Sequence, residues 1–350
     1  MQARSMSLFT TLAAVAAALL LAATLAAPAP MDAQPISLRL HTHVPPAAAS
    51  FKSLQWWAHK VEAETGGRLK IQLFGSNQLG GKAEDIYDQV RNGVVDIGWT
   101  LPGYNAAVFP ATSAFELPFI GGEAAIVSQA LDAYARKWGK AEWSAVHPIV
   151  FHAPGVSVLH MKTRPIETLA DLKGLKIRTS SPISSATLAA LGAIPVPIPR
   201  LRIAEALARD IVDGAVAPWS IALEFRTIET AKFHTETYVH GPTLVMVMNK
   251  NSYAKLPADL KKVIDANSGR WLAKEFGMKW ANGDARGRSK AIMLKHPVAT
   301  LSGQEEARWR WAAQPVYDNW IKEIDARGLP GKQMVEDAER LVAKFKAAAK

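Results

Sequence analysis

The chain has 350 residues, no cysteine and a formal net charge of +10 at pH 7, with an isoelectric point near 9.6. Without cysteine, disulfides and thiol nucleophiles are excluded, and stability must come from burial. The lysines and arginines are scattered instead of forming a stripe with aromatic residues, which argues against a nucleic-acid partner. A basic surface suits an anionic small molecule, and simple solubility explains it equally well.

The amino-terminal segment has the composition of a secretory signal peptide. Arg4 makes this end basic, residues 8–27 are almost all small or apolar, and small residues between 26 and 33 suit cleavage. A membrane anchor is the alternative, since the apolar run approaches the roughly 20 residues that span a bilayer. We expect residues 1–33 to be removed and the mature chain to be exported to the periplasm. The remaining length is enough for two lobes.

Alternating strand and helix patterns predict an α/β fold. Residues 36–43 and 69–73 alternate apolar with polar side chains, and residues 51–65 between them have helical apolar spacing, which indicates a βαβ unit and a parallel sheet. The same patterns predict further helices near 86–92, 123–138, 184–191 and 203–209, and strands at 94–99, 149–153, 156–161, 194–198, 212–216 and 244–248.

The carboxyl end is predicted to be helical. Residues 257–276 form one long amphipathic candidate. Ser302 and Glu305 have capping-box spacing at the start of a helix to Gly328, which Pro315 should kink. Residues 332–350 form a basic amphipathic helix, which we expect to dock on a lobe instead of on a membrane.

Candidate binding residues lie where predicted strands end. Arg178 closes the strand that follows a Gly174 corner, Trp99 closes the third strand, and Trp219 follows the strand at 212–216. Strand ends of α/β proteins face the crevice where ligands bind, and the planar fork of an arginine suits a carboxylate. We therefore expect Arg178 to hold the ligand. A structural ion pair is the alternative for Arg178, and core packing is the alternative for each tryptophan.

Motifs for catalysis or for a cofactor are missing from the sequence. It contains no Gly-x-Ser-x-Gly elbow, no Walker loop and no Gly-x-Gly-x-x-Gly fingerprint. His41 and His43 share one face of a strand, but no third metal ligand follows at a suitable spacing. We expect no enzyme activity, no cofactor and no metal. An exported hydrolase or isomerase would need a nucleophile or an acid–base pair in the cleft.

Five segments carry a resemblance to a known family. In chain order they are KVEAETGGRLKI at 60–71, NQLGG at 77–81, ELPF at 116–119, DLKGLKIR at 171–178 and VDGA at 212–215. With these segments the chain resembles the extracytoplasmic solute-binding proteins of tripartite ATP-independent periplasmic (TRAP) transporters, which include C4-dicarboxylate and sialic-acid binding proteins.

This resemblance implies two α/β lobes that close on a ligand, hinge strands between them, a long bracing helix near the carboxyl end, and delivery to TRAP membrane permease subunits. It also implies that Arg178 forms a bidentate salt bridge with the ligand carboxylate. We expect lobe I to comprise residues 34–156 and 243–283, and lobe II residues 157–242 and 284–350. We expect a monomer.

Several positions depart from the pattern of the sialic-acid binding members. Ala217 stands where those members have an asparagine, Val158 where they have a second arginine, Leu101 where they have an acidic residue and His43 where they have an asparagine. A buried sugar hydroxyl would then lack partners, at a cost of roughly 1–3 kcal/mol each.

The exchanged positions indicate an organic monocarboxylate with an apolar or aromatic body. We expect Arg178 to clamp its carboxylate and the body to pack on Trp99, Leu101 and Trp219, with His43 available to a ring hydroxyl or a keto oxygen. Arg200 or Arg202 could contact a second anionic group, so a dicarboxylate or a 2-oxo acid, with or without a metal ion, stays an alternative. So does a sensor-linked or ABC-type receptor of the same shape.

Overall fold

A computed structural model of the chain describes residues 34–155 and 157–349; the predicted signal peptide lies outside these residues. The strands are β1 Ile36–Thr42, β2 Leu69–Phe74, β3 Ile97–Thr100, β4 Val146–His152, β5 Ser157–Met161, β6 Lys176–Thr179, β7 Ile194–Pro197, β8 Gly214–Pro218, β9 Phe233–Glu236, β10 Leu244–Asn249 and β11 Val298–Thr300. The helices are α1 Ala49–Glu64, α2 Ile86–Arg91, α3 Ala124–Trp138, α4 Pro182–Ala190, α5 Ile203–Ala208, α6 Trp219–Glu224, α7 Thr227–Thr230, α8 Lys250–Ala254, α9 Ala258–Ala266, α10 Gly269–Met293, α11 Gly303–Ala312, α12 Gln314–Ala326 and α13 Gly331–Ala348.

The strands form two separate sheets. Sheet A has the order β2-β1-β3-β10-β4, and sheet B has the order β11-β9-β5-β8-β6-β7. In sheet A, β1 and β3 are parallel and β10 is antiparallel to both β3 and β4. In sheet B, β6 is parallel to β7 and β8, whereas β5 is antiparallel to β8 and β9. The predicted α/β class is confirmed.

Among the described residues, the chain passes between the sheets three times. It leaves sheet A after β4 and enters sheet B at β5, returns from β9 to β10, and leaves sheet A again through α8, α9 and α10 to reach β11 of sheet B. All six residues of β10 are buried, as expected for a central strand with helices or loops on both faces. The return of residues 244–248 to the first sheet, predicted from their apolar run, is confirmed.

The long helix α10 packs against elements beside both sheets. It contacts α3 and β4 on the side of sheet A and α6 on the side of sheet B. Glycines make the two approaches possible: a Cβ on Gly277 would lie 2.5 Å from Ala125 Cα, and a Cβ on Gly287 would lie 2.4 Å from Trp219 O. This is the bracing helix that the family resemblance implied.

The long amphipathic helix predicted at residues 257–276 is divided in the structure. Residues 257–276 are not one helix, because α9 ends at Ala266 and α10 begins at Gly269, whose φ is +68°. A residue with a side chain does not easily adopt this positive φ, so a glycine stands at the break between the two helices. The Trp57 indole donates to Asn267 O at 2.8 Å and fixes the junction. Third-strand residues at 94–96 also fall outside β3, and Val94 is exposed.

The helix predicted for residues 302–328 is likewise two helices. Ser302 accepts from Glu305 N at 3.2 Å, which is one half of the predicted capping box; Glu305 Oε2 accepts from Leu169 N at 3.0 Å. Pro315 lies in the first turn of α12, where a missing N–H costs nothing, and therefore starts a helix instead of kinking one. Trp309 of α11 packs in a core with strands of sheet B, but the apolar faces of α12 and α13 pack with Val245 and Val247 of sheet A.

That packing places α12 and α13 with sheet A, whereas the expected boundary assigned residues 284–350 to lobe II. The apolar face of α13, with Met334, Leu341 and Phe345 buried, covers α3. None of the helices among the described residues is both long enough and apolar enough to cross a membrane.

A carboxylate also links the helices beside the two sheets. The N-terminus of α1 has no cap from its own N-cap residue, Ala48. Glu224 at the end of α6 supplies one, since its Oε1 accepts from Ser50 Oγ at 2.8 Å and its Oε2 from Ser50 N at 3.4 Å. Negative charge at a helix N-terminus is favourable, and burial raises the pKa of Glu224.

The close approach of α10 to α6 predicts the effect of a single methyl group. Gly287→Ala should lower the free energy of unfolding by about 1–3 kcal/mol, because the new Cβ would meet Trp219 backbone and force the helices apart. Urea unfolding measures this. Gly303→Ala is the matched control, since a Cβ there meets nothing within 4 Å and its stability should be unchanged or slightly higher. Equal stability of the two variants would contradict the close packing.

Candidate functional site

Arg178 lies on β6, between β8 and β7, and its side chain is 3% exposed. Its Nε donates to Ile198 O at 2.7 Å and its Nη1 donates to Val216 O at 3.4 Å. Among the described residues, no carboxylate forms a salt bridge with Arg178 within 4.0 Å, so these contacts give no support to the structural ion pair considered as an alternative. The guanidinium is a buried cation held by backbone carbonyls.

Burial is the main reason that the pKa of Arg178 is lowered to about 10; Tyr104 opposes this shift, and the positive charge of Arg200 adds to it. Arg178 therefore stays protonated at neutral pH. A buried charge without a partner of opposite sign is costly, so this arrangement favours an anion beside it.

A narrow cavity adjoins Arg178. Of the predicted residues, Arg178, Arg200, Leu101 and Ala217 line it. Ser180 and His240 are the other polar residues of its lining. The remaining walls are apolar and consist of Pro154, Val216, Pro218, Ile221, Pro242 and Leu244. Leu101 follows β3 of sheet A, whereas Ala217 belongs to β8 of sheet B. Side chains from both sheets thus enclose one cationic, otherwise apolar space.

Arg200 is the second cation of the cavity and is 4% exposed. Its guanidinium carbon lies 5.8 Å from the Trp99 ring centroid and 5.9 Å from the Phe225 ring centroid. Its Nη1 has no hydrogen-bond partner among the described residues. Arg202, which the sequence left as an equal candidate, instead reaches solvent and pairs with Glu205 at 3.2 Å.

His43 and Trp99 lie beside Arg200 without lining the cavity. The two rings stack with centroids 5.7 Å apart, and Tyr104 meets His43 edge-on at 6.0 Å. The Trp99 indole donates to His152 Nε2 at 2.9 Å. Burial and the charge of Arg200 hold the pKa of His43 well below its usual range, so its imidazole is neutral.

Trp219 is not brought to the cavity. It is the first residue of α6, and its indole donates to Glu236 Oε1 at 2.9 Å. Its ring packs on His160 and His234, with centroids 5.1 and 4.8 Å away. These contacts are those of a core residue, which was the alternative considered for this tryptophan.

Sequence reasoning missed His240, which lies in the return connection between β9 and β10. Its Nε2 lies 3.1 Å from Ser180 Oγ, and its Nδ1 lies 3.4 Å from Glu116 O. Because a carbonyl only accepts, Nδ1 carries the proton and Nε2 accepts from Ser180. Thr243 donates to the buried Glu116 carboxyl at 2.9 Å. No periodic pattern marks these residues, since they lie in connections between strands.

Among the described residues, no group of three or more histidines, aspartates or glutamates could hold a metal ion. Most of the side-chain polar atoms at the cavity are N–H donors of the positively charged Arg178 and Arg200. The arrangement can therefore bind an anion with an apolar body, and its position between two sheets is that of a ligand-binding protein with two α/β halves.

Residues 40–323 match the family described as bacterial extracellular solute-binding protein, family 7 (DctP). The match covers well over half of the chain, and the chain belongs to this family. It is a solute-binding protein of the TRAP type, as the sequence resemblance predicted, and the members of this family serve in transport from the periplasm.

Solved structures of this class are similar over nearly the whole chain. A TRAP solute binding protein from Rhodoferax ferrireducens T118 in complex with copurified benzoate is 35% identical, with a TM-score of 0.87, over 90% of this chain and 100% of that chain. A marine metagenome protein specific for aromatic acid ligands, in complex with 3-hydroxybenzoate, is 34% identical, with a TM-score of 0.86, over 89% and 99%.

Curated relatives are more distant. The C4-dicarboxylate-binding periplasmic protein of Rhodobacter capsulatus is 25% identical over 315 residues, which cover 87% of this chain and 92% of that protein. The 2,3-diketo-L-gulonate-binding periplasmic protein of Escherichia coli K12 is 27% identical over 207 residues, or 58% of this chain and 63% of that protein.

The neutral His240 predicts a pH-dependent contribution to stability. Burial lowers the pKa of His240 to about 4, against about 6.5 in the unfolded chain. The unfolded state therefore binds more protons between these values, and the stability that depends on neutral His240 is complete above about pH 6.5 and is lost as the pH falls toward 4. At pH 5 the loss should be about 1–2 kcal/mol.

Burial raises the pKa of Glu116 and of other carboxyls, and their protonation increases stability as the pH falls, opposite to the effect of His240. The test therefore compares wild type with a variant that lacks only His240. The stability advantage of wild type over His240→Gln in urea should shrink between pH 7.5 and pH 5. His59→Gln, at an exposed position of α1, is the control and should show no such change. An advantage that stays constant or grows on acidification would show that His240 is not held neutral.

Proposed function

We propose that the protein binds an organic acid with an apolar or aromatic body, clamps its carboxylate on Arg178, and delivers it to TRAP permease subunits in the membrane. The observation that carries this proposal is the buried Arg178 guanidinium, which lines a cavity and has no carboxylate within 4.0 Å in the part of the chain that the structure describes.

The hydrogen bonds of Arg178 support a bidentate clamp. Nε and one N–H of Nη1 are occupied by Ile198 O and Val216 O. An arginine has five N–H donors in a fixed fork. The Nη2 amino group and the second Nη1 N–H are left for the two oxygens of a carboxylate, which would bind end-on to the fork.

The walls of the cavity support an apolar or aromatic body for the ligand. Leu101, Ala217 and the prolines around them offer no hydrogen bonds to sugar hydroxyls. The two related structures described above, which are 35% and 34% identical, contain benzoate and 3-hydroxybenzoate, which agrees with a flat apolar ligand. Trp99 would contribute to the site through its contact with Arg200, and Trp219 through the core behind β8.

Transport would require opening and closing of the cavity. We propose that sheets A and B move as two lobes about the β4–β5 and β9–β10 connections, and that a ligand touching residues from both sheets favours the closed state. Glu224, which caps α1 across the two sides, would add to closure.

Export through cleavage of residues 1–33 would place the monomeric protein beside its permease.

A dicarboxylate is the second candidate, and one observation favours it: Arg200 is a second buried arginine without a carboxylate within 4.0 Å among the described residues. A ligand with two carboxylates could satisfy both cations. A thermal-shift comparison of benzoate, glucuronate and succinate separates these classes; stabilisation by glucuronate or succinate but not by benzoate would refute an apolar ligand.

Removing the clamp predicts a large loss of affinity. Arg178→Ala should weaken benzoate binding by roughly 30-fold to a few thousand-fold, because truncating one partner of a buried charge pair costs roughly 2–5 kcal/mol. Arg178→Lys keeps the charge but not the fork, and should retain intermediate affinity. Isothermal titration calorimetry measures both variants.

Arg202→Ala is the matched control, since that arginine is exposed and pairs with Glu205. Its benzoate affinity should equal that of wild type. In Arg178→Ala the carbonyls of Ile198 and Val216 lose their donors, which could affect folding. Circular dichroism of both variants therefore checks that they are folded. Near-normal benzoate affinity in a folded Arg178 variant would refute the clamp.

A further inference from the structure

The Ser180 hydroxyl and the His240 imidazole are the two polar side chains of the cavity lining besides the two arginines. Ser180 follows the last residue of β6, two positions after Arg178, and both side chains line the same narrow cavity. His240 lines it from the connection between β9 and β10 and is 4% exposed. A carboxylate held by Arg178 in this cavity would therefore lie beside a hydroxyl that is joined to a buried imidazole.

The hydrogen bonds of His240 determine where the Ser180 hydroxyl hydrogen points. Nδ1 of His240 lies 3.4 Å from Glu116 O, and Nε2 lies 3.1 Å from Ser180 Oγ. In the neutral imidazole Nδ1 carries the only proton, so the lone pair of Nε2 takes the single hydrogen of Ser180. Ser180 then offers only lone pairs to the cavity, and lone pairs repel a carboxylate.

A second proton on His240 reverses this order. Both ring nitrogens of a charged imidazole are donors, so Nε2 donates to Ser180 Oγ. The hydroxyl hydrogen of Ser180 is then available to a ligand carboxylate. Without the proton, a carboxylate that took this hydrogen would leave Nε2 buried without a partner, which costs roughly 1–3 kcal/mol. The protonated arrangement satisfies all three groups.

The charges around His240 favour that proton only when an anion is present. Burial is the main reason that the pKa of His240 is lowered to about 4; the hydrogen bond to Glu116 O opposes this shift, and the positive charge of Arg178 adds to it. Arg200 is the other cation of the cavity lining. The Glu116 carboxyl accepts from Thr243, and burial raises its pKa. A carboxylate on Arg178 would bring a negative charge into the cavity and so favour the charged imidazole.

We propose that the protein binds its organic acid together with one proton, which His240 takes up so that Ser180 can donate a hydrogen bond to the carboxylate on Arg178. The proton comes from the solvent and returns to it when the ligand leaves, and no covalent bond other than N–H changes. This inference rests on the proposed function, in which Arg178 holds the carboxylate. It adds Ser180 as a ligand contact and His240 as the residue that positions its hydrogen.

Proton uptake is measured by calorimetry of benzoate binding in buffers with different heats of protonation. If the bound carboxylate restores to His240 its ordinary pKa of about 6.5, wild type should take up roughly 0.9 proton per benzoate at pH 5.5 and almost none at pH 8. Benzoate affinity should then be about tenfold higher at pH 5.5 than at pH 8. A carboxylic acid with an ordinary pKa of about 4 stays ionised over this range.

Two variants assign the proton and the hydrogen bond. His240→Gln keeps a donor for Glu116 O and an acceptor for Ser180 but cannot become charged, so its proton uptake should be zero and its affinity should not depend on pH. Ser180→Ala should weaken benzoate binding more at pH 5.5 than at pH 8, because the hydroxyl donates to the ligand only when His240 is charged. His59→Gln, at an exposed position of α1, is the control and should keep the wild-type uptake. Circular dichroism at both pH values checks that each variant is folded.

The outcomes separate this inference from the proposed function. Benzoate binding by wild type without proton uptake at pH 5.5 would overturn the inference and leave the Arg178 clamp intact. Uptake that persists in folded His240→Gln would also overturn it, and loss of that uptake in Glu116→Gln would assign the proton to the Glu116 carboxyl. Absence of benzoate binding at both pH values would overturn the inference together with the benzoate-type ligand proposed above.

Discussion

The buried guanidinium of Arg178 is the group on which the proposed binding site depends. It is 3% exposed, and among the described residues it is held by two backbone carbonyls and no carboxylate. Carbonyl dipoles fix its orientation but do not neutralise its charge, so part of the cost of burial is left for an anionic ligand to offset. In the proposed function, a ligand carboxylate would supply the missing negative charge.

The fold brings this cation to a cavity through its sheet order. Strand β6 lies beside β8, whose Val216 and Ala217 form the neighbouring wall, and Leu101 closes the cavity from the end of β3 in the other sheet. The glycines of α10 let one helix approach both sides closely, which braces the frame around the cavity. A TRAP solute-binding protein needs such a frame because its ligand must be enclosed and then released.

The sequence predicted most of the strands and helices, and it singled out Arg178, which the fold buries beside the cavity, because strand alternation and the rule for strand ends are local signals. It misplaced Trp219, since that residue opens a helix and its indole turns onto His160 and His234. It could not find His240, which only the return of the chain to sheet A brings beside Ser180. The break before Gly269 lies beside a hydrogen bond from Trp57 to Asn267 O, a contact that periodicity does not reveal.

The central claim is tested most directly by a crystal structure of the protein grown with benzoate. The account predicts the carboxylate in the cavity between the sheets, with its two oxygens about 2.7–2.9 Å from Nη1 and Nη2 of Arg178 and the ring against Leu101 and Ala217. A carboxylate bound elsewhere, with the Arg178 guanidinium facing only protein atoms, would contradict it.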